Sequence, residues 1–126
     1  MTMTKMKSKY FSPGEFQRCD PPCTIDQMDA VFLHVLDLIR ENAGIPLVLN
    51  CAYRSKAHDI AKGRSGNSAH TKGLAVDIRC TTSANRLKIV KAALSVGITR
   101  IGIGKNFVHI DNDFTLQQGV MFDYYK

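Results

Sequence analysis

No stretch of the chain approaches the roughly 18 consecutive apolar residues that a membrane-spanning helix needs, and no internal repeat or low-complexity segment occurs in its 126 residues. Transmembrane and fibrous classes are excluded on that basis. The segment Met1 to Phe11 carries Lys5, Lys7 and Lys9 but runs straight into Ser12, Pro13, Gly14 and Glu15, so it lacks the apolar core of a secretory signal. The expectation is a protein held in the cytoplasm of the producing cell, with residues 1–10 as a flexible basic tail. The cysteines, at positions 19, 23, 51 and 80, form neither a set of CxxC pairs nor the dense framework of a small secreted domain. A zinc ribbon is therefore excluded, and the thiols read as free structural residues rather than a Cys19–Cys23 clip. Acidic residues are scarce, 11 against 17 Lys and Arg, which leaves a net charge of +6. That excess favours an acidic partner without choosing among nucleic acid, a cell-wall polymer and a carboxylate substrate. Neither a helix-turn-helix nor an aromatic-basic strand motif is present, which argues against nucleic acid.

What is there fits one globular domain, residues 1–126, with 44% apolar residues and 22% charged ones. Ser12, Pro13 and Glu15 form a helix-start signature for one short turn near Phe16. Thr24 with Gln27 repeats the capping pattern, and Ile25, Met28, Val31, Phe32, Val35, Leu36 and Ile39 recur at helical spacing up to Gly44. Leu47 to Tyr53 reads as a strand, Ser55 to Ala61 as a short polar helix and Lys62 to Lys72 as a loop. Leu74 to Cys80 is a second strand. Ser83 opens a helix to about Gly97 with Leu87, Val90, Ala93 and Leu94 on its apolar stripe, leaving Arg86, Lys88 and Lys91 on a solvated face. Thr99 to Ile103, Asn106 to Asp111 and Val120 to Tyr125 complete the strands.

Chemistry gathers where strand parity places it. In Leu74 to Cys80, alternation puts Leu74, Val76, Ile78 and Cys80 on one face and Asp77 on the other; in Asn106 to Asp111, it separates Val108 and Ile110 from His109 and Asp111. If both strands share a sheet packed on the long helix, its free face collects Asp77, His109 and Asp111, with His70 on the loop just before. Two imidazoles and a carboxylate suit a zinc ion with its fourth position open, the arrangement of a catalytic centre. Spacing alone does not separate this from a chance triplet. His34, inside the long helix, and His58, in the polar helix, read as structural or surface residues. By the same parity Cys51 and Tyr53 face one way and Ala52 and Arg54 the other, which puts Cys51 on the apolar side with Cys80. Gly66 and Gly73 read as turn glycines, the latter also letting the backbone run close to a metal.

The segment Ser68-Ala69-His70-Thr71-Lys72-Gly73-Leu74-Ala75-Val76-Asp77 matches the signature SxHxxGxAxD at its fixed positions, and His109-Ile110-Asp111 resembles a downstream His-x-Asp element. Tyr53-Arg54-Ser55 is similar to a GYRS turn, with Ala52 where that pattern has glycine, and Glu15-Phe16 matches near the start. In these respects the chain resembles the zinc D-Ala-D-Ala carboxypeptidase family, peptidase family M15. The resemblance implies a compact α+β domain of the kind shared with Hedgehog-type domains, with helices on one face of a small, largely antiparallel sheet and a zinc site on the opposite face. It implies one Zn2+ per chain held by His70, Asp77 and His109, with Arg54 as the cation facing the substrate and Ser68 beside it. Several branches of the family carry an acid three residues before the last histidine; this chain has Asn106 there. The expected catalytic residues are thus Arg54 and Asp111, the latter either accepting a proton from the attacking water or holding an imidazole in its ligating tautomer.

The implied activity is a zinc peptidase acting on peptidoglycan stem peptides, as a D-Ala-D-Ala carboxypeptidase or a phage-type endolysin endopeptidase that reaches the wall after release. The competing expectation is a metal-retaining cell-wall-binding module without turnover. No nucleic-acid or membrane partner is expected, and the chain is expected to act as a monomer.

Overall fold

Proline at the first turn and the reciprocal cap between Ser12 and Glu15 set the short helix α1 (Pro13–Gln17), the Glu15 carboxylate accepting the Ser12 N–H at 2.6 Å. The computed structural model describes residues 6–125. Of the expected basic tail, residues 1–5 lie outside the described residues. Residues 8–10 are instead fastened to the long helix: the Ser8 hydroxyl and the Lys9 and Tyr10 amides all donate to Asp37.

The long helix α2 (Ala30–Ala43) begins later than its apolar spacing suggests. Thr24 and Gln27 do form a capping box, but it closes a 3-10 turn (Ile25–Gln27), after which Met28 is extended. Asp29 then caps α2 by accepting the Phe32 amide at 2.9 Å. The cause of the break lies in a distant segment: the Asp29 amide donates to the Gly73 carbonyl at 3.0 Å. Gly73 has φ +70°, and a Cβ on it would lie 2.5 Å from the Gln27 carbonyl oxygen. Its glycine is thus required by contact with the entry to α2, rather than by approach to a metal. Val31 is consequently exposed, and the buried stripe is Phe32, Leu33, Leu36, Ile39 and Ala43. Gly44, with φ 69°, ends the helix.

Strands β1 (Leu49–Cys51), β2 (Ala75–Arg79), β3 (Arg100–Ile103), β4 (Phe107–Asp111) and β5 (Val120–Asp123) form one sheet in the order β1-β2-β4-β3-β5. Pairing is antiparallel throughout except between β3 and β5, which run parallel. The class is α+β with a mixed sheet. Strand parity holds in β2 and β4: Val76, Ile78, Val108 and Ile110 are fully buried on one face, in one core with Phe32, Leu36 and Ile39 of α2 and Ile89 of α4 (Ser83–Ser95). Each such aliphatic side chain contributes about 1.5–3 kcal/mol relative to exposure. In α4 the buried residues are Ile89, Ala92 and Ala93, one position round from the expected stripe; Leu87 and Leu94 are exposed, and Thr82 rather than Ser83 caps the helix.

Parity fails in β1, which is only three residues long. Leu49 pairs with Ile78, yet Cys51 pairs with Asp77, so an irregularity between them shifts the register by one residue. A one-residue shift exchanges faces. Ala52 therefore joins the core, fully buried, and Cys51 lies on the opposite face with Asp77. The expectation that Cys51 sides with Cys80 is corrected on this ground. All four cysteines are buried free thiols.

Candidate metal centre

The register between β2 and β4 sets Asp77 directly opposite His109, and both side chains rise from the face of the sheet away from α2. Asp77 Oδ1 lies 3.0 Å from His109 Nδ1 and 3.4 Å from His70 Nε2. His70 comes from a 3-10 turn (Ala69–Lys72) lying over the strands, and the two imidazole rings stand 5.2 Å apart. Each ring spends its other nitrogen on an oxygen: His70 Nδ1 is 2.7 Å from the Ala52 carbonyl, and His109 Nε2 is 2.7 Å from Asp111 Oδ2. With metal bonds of about 2.0–2.1 Å, two N or O donors on one tetrahedral zinc lie about 3.3 Å apart. The separations at Asp77 match that spacing, and the outward nitrogens hydrogen-bond as ligating imidazoles do. The donor types and the distances at Asp77 therefore fit zinc, and the donor atoms that all lie within 4.8 Å of one another are those of Cys51, His70 and Asp77.

Electrostatics agree. Burial alone would lower the His70 and His109 pKa values and raise that of Asp77. Instead, hydrogen bonds and charge from Asp77 and Cys51 push His70 up to about 9, those from Asp111 and Asp77 raise His109, and the two imidazoles hold the Asp77 carboxyl well below its usual range. A pocket that favours imidazolium so strongly has a negative field that favours a bound cation as well.

Asp111 is 1% exposed and both its oxygens are engaged. Oδ2 accepts from His109 Nε2 and, at 3.0 Å, from Arg100 Nε; Oδ1 accepts the Asp113 amide at 3.2 Å. Arg100 lies on the same face as Gly102, which is the cross-strand neighbour of His109. Asp59 in α3 (Lys56–Ala61) has a comparable position on the other side of the site. Fully buried, it accepts from Arg54 Nε and Ser68 Oγ, both at 2.6 Å, and from the Gly66 amide at 2.9 Å. Burial would raise the Asp59 pKa, yet these donors hold it below the usual carboxylate range. A backbone bond from Arg54 N to the His70 carbonyl ties the two motif segments together.

Arg54, Ser68, His70, Asp77, His109 and Asp111 line one cavity of about 640 Å³. Its far wall is aromatic: Phe107, Phe122 and Tyr124 form a cluster with centroid distances of 5.0 and 5.6 Å, and the Phe122 ring is 5.8 Å from that of His109. Gly102 makes room for this wall, since a Cβ there would meet the Phe122 ring at 2.5 Å. Burial, and then the charge of Asp77, raise the Tyr124 phenol to about 12, so it remains a hydrogen-bond donor at neutral pH. A second cavity of about 730 Å³, lined by Glu15, Arg18, Asn50, Cys51 and Lys62 among others, opens on the other side and meets the first at Asp77.

A family model described as Peptidase M15 matches residues 9–111. The chain belongs to this peptidase family. A solved structure of the Serratia marcescens L-Ala D-Glu endopeptidase ChiX shares the fold, with a TM-score of 0.53 at 18% identity over 79% of this chain and 90% of that one. No curated protein matches.

Every site residue expected from the sequence thus lines one cavity, while His34 and His58 are exposed elsewhere. Ser68 commits its only proton to Asp59 and offers the cavity an acceptor oxygen. Asn106 is exposed at the turn before β4 and does not line the cavity. The sequence reading missed Asp59, Arg100, Cys51 and the aromatic wall. Arg100 was within reach of parity, since Arg100 and Gly102 alternate with the buried Ile101. Asp59 was not, because its role depends on how a six-residue helix docks under a loop.

Proposed function

We propose that the protein is a zinc-dependent endopeptidase that cleaves peptidoglycan stem peptides, with His70 Nε2, Asp77 Oδ1 and His109 Nδ1 holding the metal. The observation that carries this reading is the convergence of two imidazole nitrogens on one Asp77 oxygen, at the floor of a cavity walled by Arg54, in a chain of the M15 family. Zinc in this setting polarises a scissile carbonyl and lowers the pKa of water.

The remaining roles belong to the chain's own groups. Arg54, with its Nε fixed by Asp59, turns its guanidinium to a substrate carboxylate or to a developing oxyanion, where its planar fork has the advantage over an ammonium. Asp111 holds His109 in the tautomer with Nδ1 free; its oxygens, already engaged by His109, Arg100 and the Asp113 amide, suit it to orienting rather than to taking up a proton. Tyr124 offers a proton donor on the opposite wall. Cavities on both sides of Asp77 support an endopeptidase, which must seat chain on either side of the cut bond, over a carboxypeptidase, which needs a closed end for a terminal carboxylate. The relative with the same fold is named for L-Ala D-Glu endopeptidase activity, which suits this choice. The enzyme is proposed to meet its substrate after release from the producing cell and to act there as a monomer.

Mass spectrometry of purified peptidoglycan after digestion tests the reading. Fragments cut inside the stem peptide support it, and loss of a terminal D-Ala alone moves the assignment to a carboxypeptidase. Metal uptake and wall binding with no fragments would instead identify a binding module.

A further inference from the structure

The irregular register of β1 has a chemical consequence. Three adjacent strands present one potential donor each, in a row on the same face: Cys51 on β1 opposite Asp77 on β2, and Asp77 opposite His109 on β4. Directly opposed residues in a sheet have Cβ atoms about 4.5–5.5 Å apart. His70 covers the row from the loop above. The Cys51 sulfur and donor atoms of His70 and Asp77 all lie within 4.8 Å of one another, a group that does not include His109, and Sγ is also 3.7 Å from His70 Nδ1, the nitrogen that faces the Ala52 carbonyl. With a zinc–sulfur bond of about 2.3 Å, a thiolate and an imidazole nitrogen on one tetrahedral ion lie about 3.6 Å apart. The sulfur, within 4.8 Å of both donors, thus lies no more than about 1.2 Å beyond that spacing. Cys51 is also 5% exposed yet lines the second cavity beside Asp77, where Arg54 Nη1 donates to its sulfur at 3.6 Å.

We propose that Cys51 is a further donor to the divalent cation held at His70, Asp77 and His109, so that four protein side chains can close the centre. The inference rests on the reading of His70 and Asp77 as metal ligands and goes beyond it in assigning sulfur to the ion. On coordination the thiol releases its proton to solvent, the sulfur–metal bond forms, and the position otherwise left to water is filled. Four protein donors are the mark of a closed centre and three of an open one. The resting protein is thus latent, and departure of the thiolate towards Arg54 returns that position to water.

Cobalt(II) substitution reads this out without any turnover. Metal-free protein loaded with one equivalent of Co2+ is expected to show intense visible ligand-field bands together with a sulfur-to-cobalt charge-transfer band in the near ultraviolet. Cys51→Ser and Cys51→Ala are each expected to lose the charge-transfer band while still taking up one cobalt per chain. Uptake with ligand-field bands but no charge-transfer band in the wild-type protein overturns the proposal and leaves the metal reading in place. A band that persists in folded Cys51→Ser and Cys51→Ala assigns the sulfur to another cysteine and also overturns it. Failure to take up cobalt at all removes both the Cys51 donor and the metal reading beneath it.

Discussion

Replacing Asp111 by Asn separates the two chemical roles open to this residue. Asp111 Oδ2 receives two donors, His109 Nε2 at 2.7 Å and Arg100 Nε at 3.0 Å, while Oδ1 receives the Asp113 amide. An asparagine of the same shape has one acceptor oxygen, so either the Asp113 amide meets an NH2 group where it needs a lone pair or, with the amide flipped, the imidazole and the guanidinium both do, and in either case the charge behind the imidazole is lost. Loss of such a partner behind a ligating imidazole typically costs 10- to 100-fold in metal affinity, which is about 1.4–2.7 kcal/mol. Stability should fall as well. Breaking a fully buried ion pair costs about 3–5 kcal/mol, but the Arg100 side chain is 22% exposed and retains its bond to the Gln117 carbonyl and its place over Phe122, so the lower end applies. Competition with a chelator measures the zinc affinity, and urea unfolding of metal-free protein measures the stability. Turnover per metal-loaded site should fall by no more than the misorientation of one ligand explains, about 10-fold. The reasoning is refuted if zinc affinity stays within twofold of wild type while turnover collapses, because Asp111 would then be handling a proton.

Arg54→Lys should lower kcat/KM at least about 10-fold, or 1.4 kcal/mol, with zinc content unchanged, as measured by steady-state kinetics beside metal analysis. Asp59→Asn removes the charge that Arg54 faces in a fully buried pair and should cost about 3 kcal/mol or more in denaturant unfolding; a change under 1 kcal/mol would mean the pair is not seated as described. Because Asp59 has its pKa depressed, its contribution is fully present above the ordinary carboxylate range and is lost as pH falls from that range through the lower native value, so the Asp59→Asn deficit should shrink in acid. For His70 the sign is the reverse. Its pKa in the metal-free protein is raised to about 9, so zinc must expel a proton at every pH below that, and apparent zinc affinity should climb from pH 6.5 to about 9 rather than level off near 7. Isothermal titration in buffers of different ionisation enthalpy counts the protons released, to which His109 also contributes.

The sequence made the sheet legible where one face is apolar and the strand is long enough for alternation to show. Val76 and Ile78, and Val108 and Ile110, fixed which side of β2 and β4 carries Asp77, His109 and Asp111. The same reasoning misplaced Cys51, because β1 has three residues and a register shift, and a period of two cannot be read through an irregularity. The start of α2 was hidden for a different reason. Thr24 and Gln27 are a genuine capping box, and only the long-range bond from Asp29 to Gly73 ends that turn before the helix begins. Local signals gave the right cap and the wrong element. Parallel pairing of β5 with β3 also had no local signature, since it depends on the chain passing through β4 before returning to the other edge of β3.

Of the buried carboxylates outside the proposed ligand set, Asp59 shows why motif matching found the site yet left part of its support unseen. Motif residues lie where chemistry needs them, but Arg54 and Ser68 are 14 positions apart and share no strand. What brings them to one cavity is Asp59, which accepts from both and lies in neither motif. Asp111 does the same for β3 and β4 by joining Arg100 to His109, and Asp113 extends that link to Lys72 of the motif loop at 2.7 Å. In each case an acid with low exposure is satisfied by donors from different segments, so its charge is compensated only in the assembled fold. Interactions shared in this way are expected to be non-additive, because removing the common acceptor releases every donor at once. The proposed catalytic side chains Arg54 and His109 are thus each held by an acid. The position of Asp59 follows from the packing of a short helix, which no motif here encodes, whereas Asp111 stands in the His-x-Asp element on an interior strand.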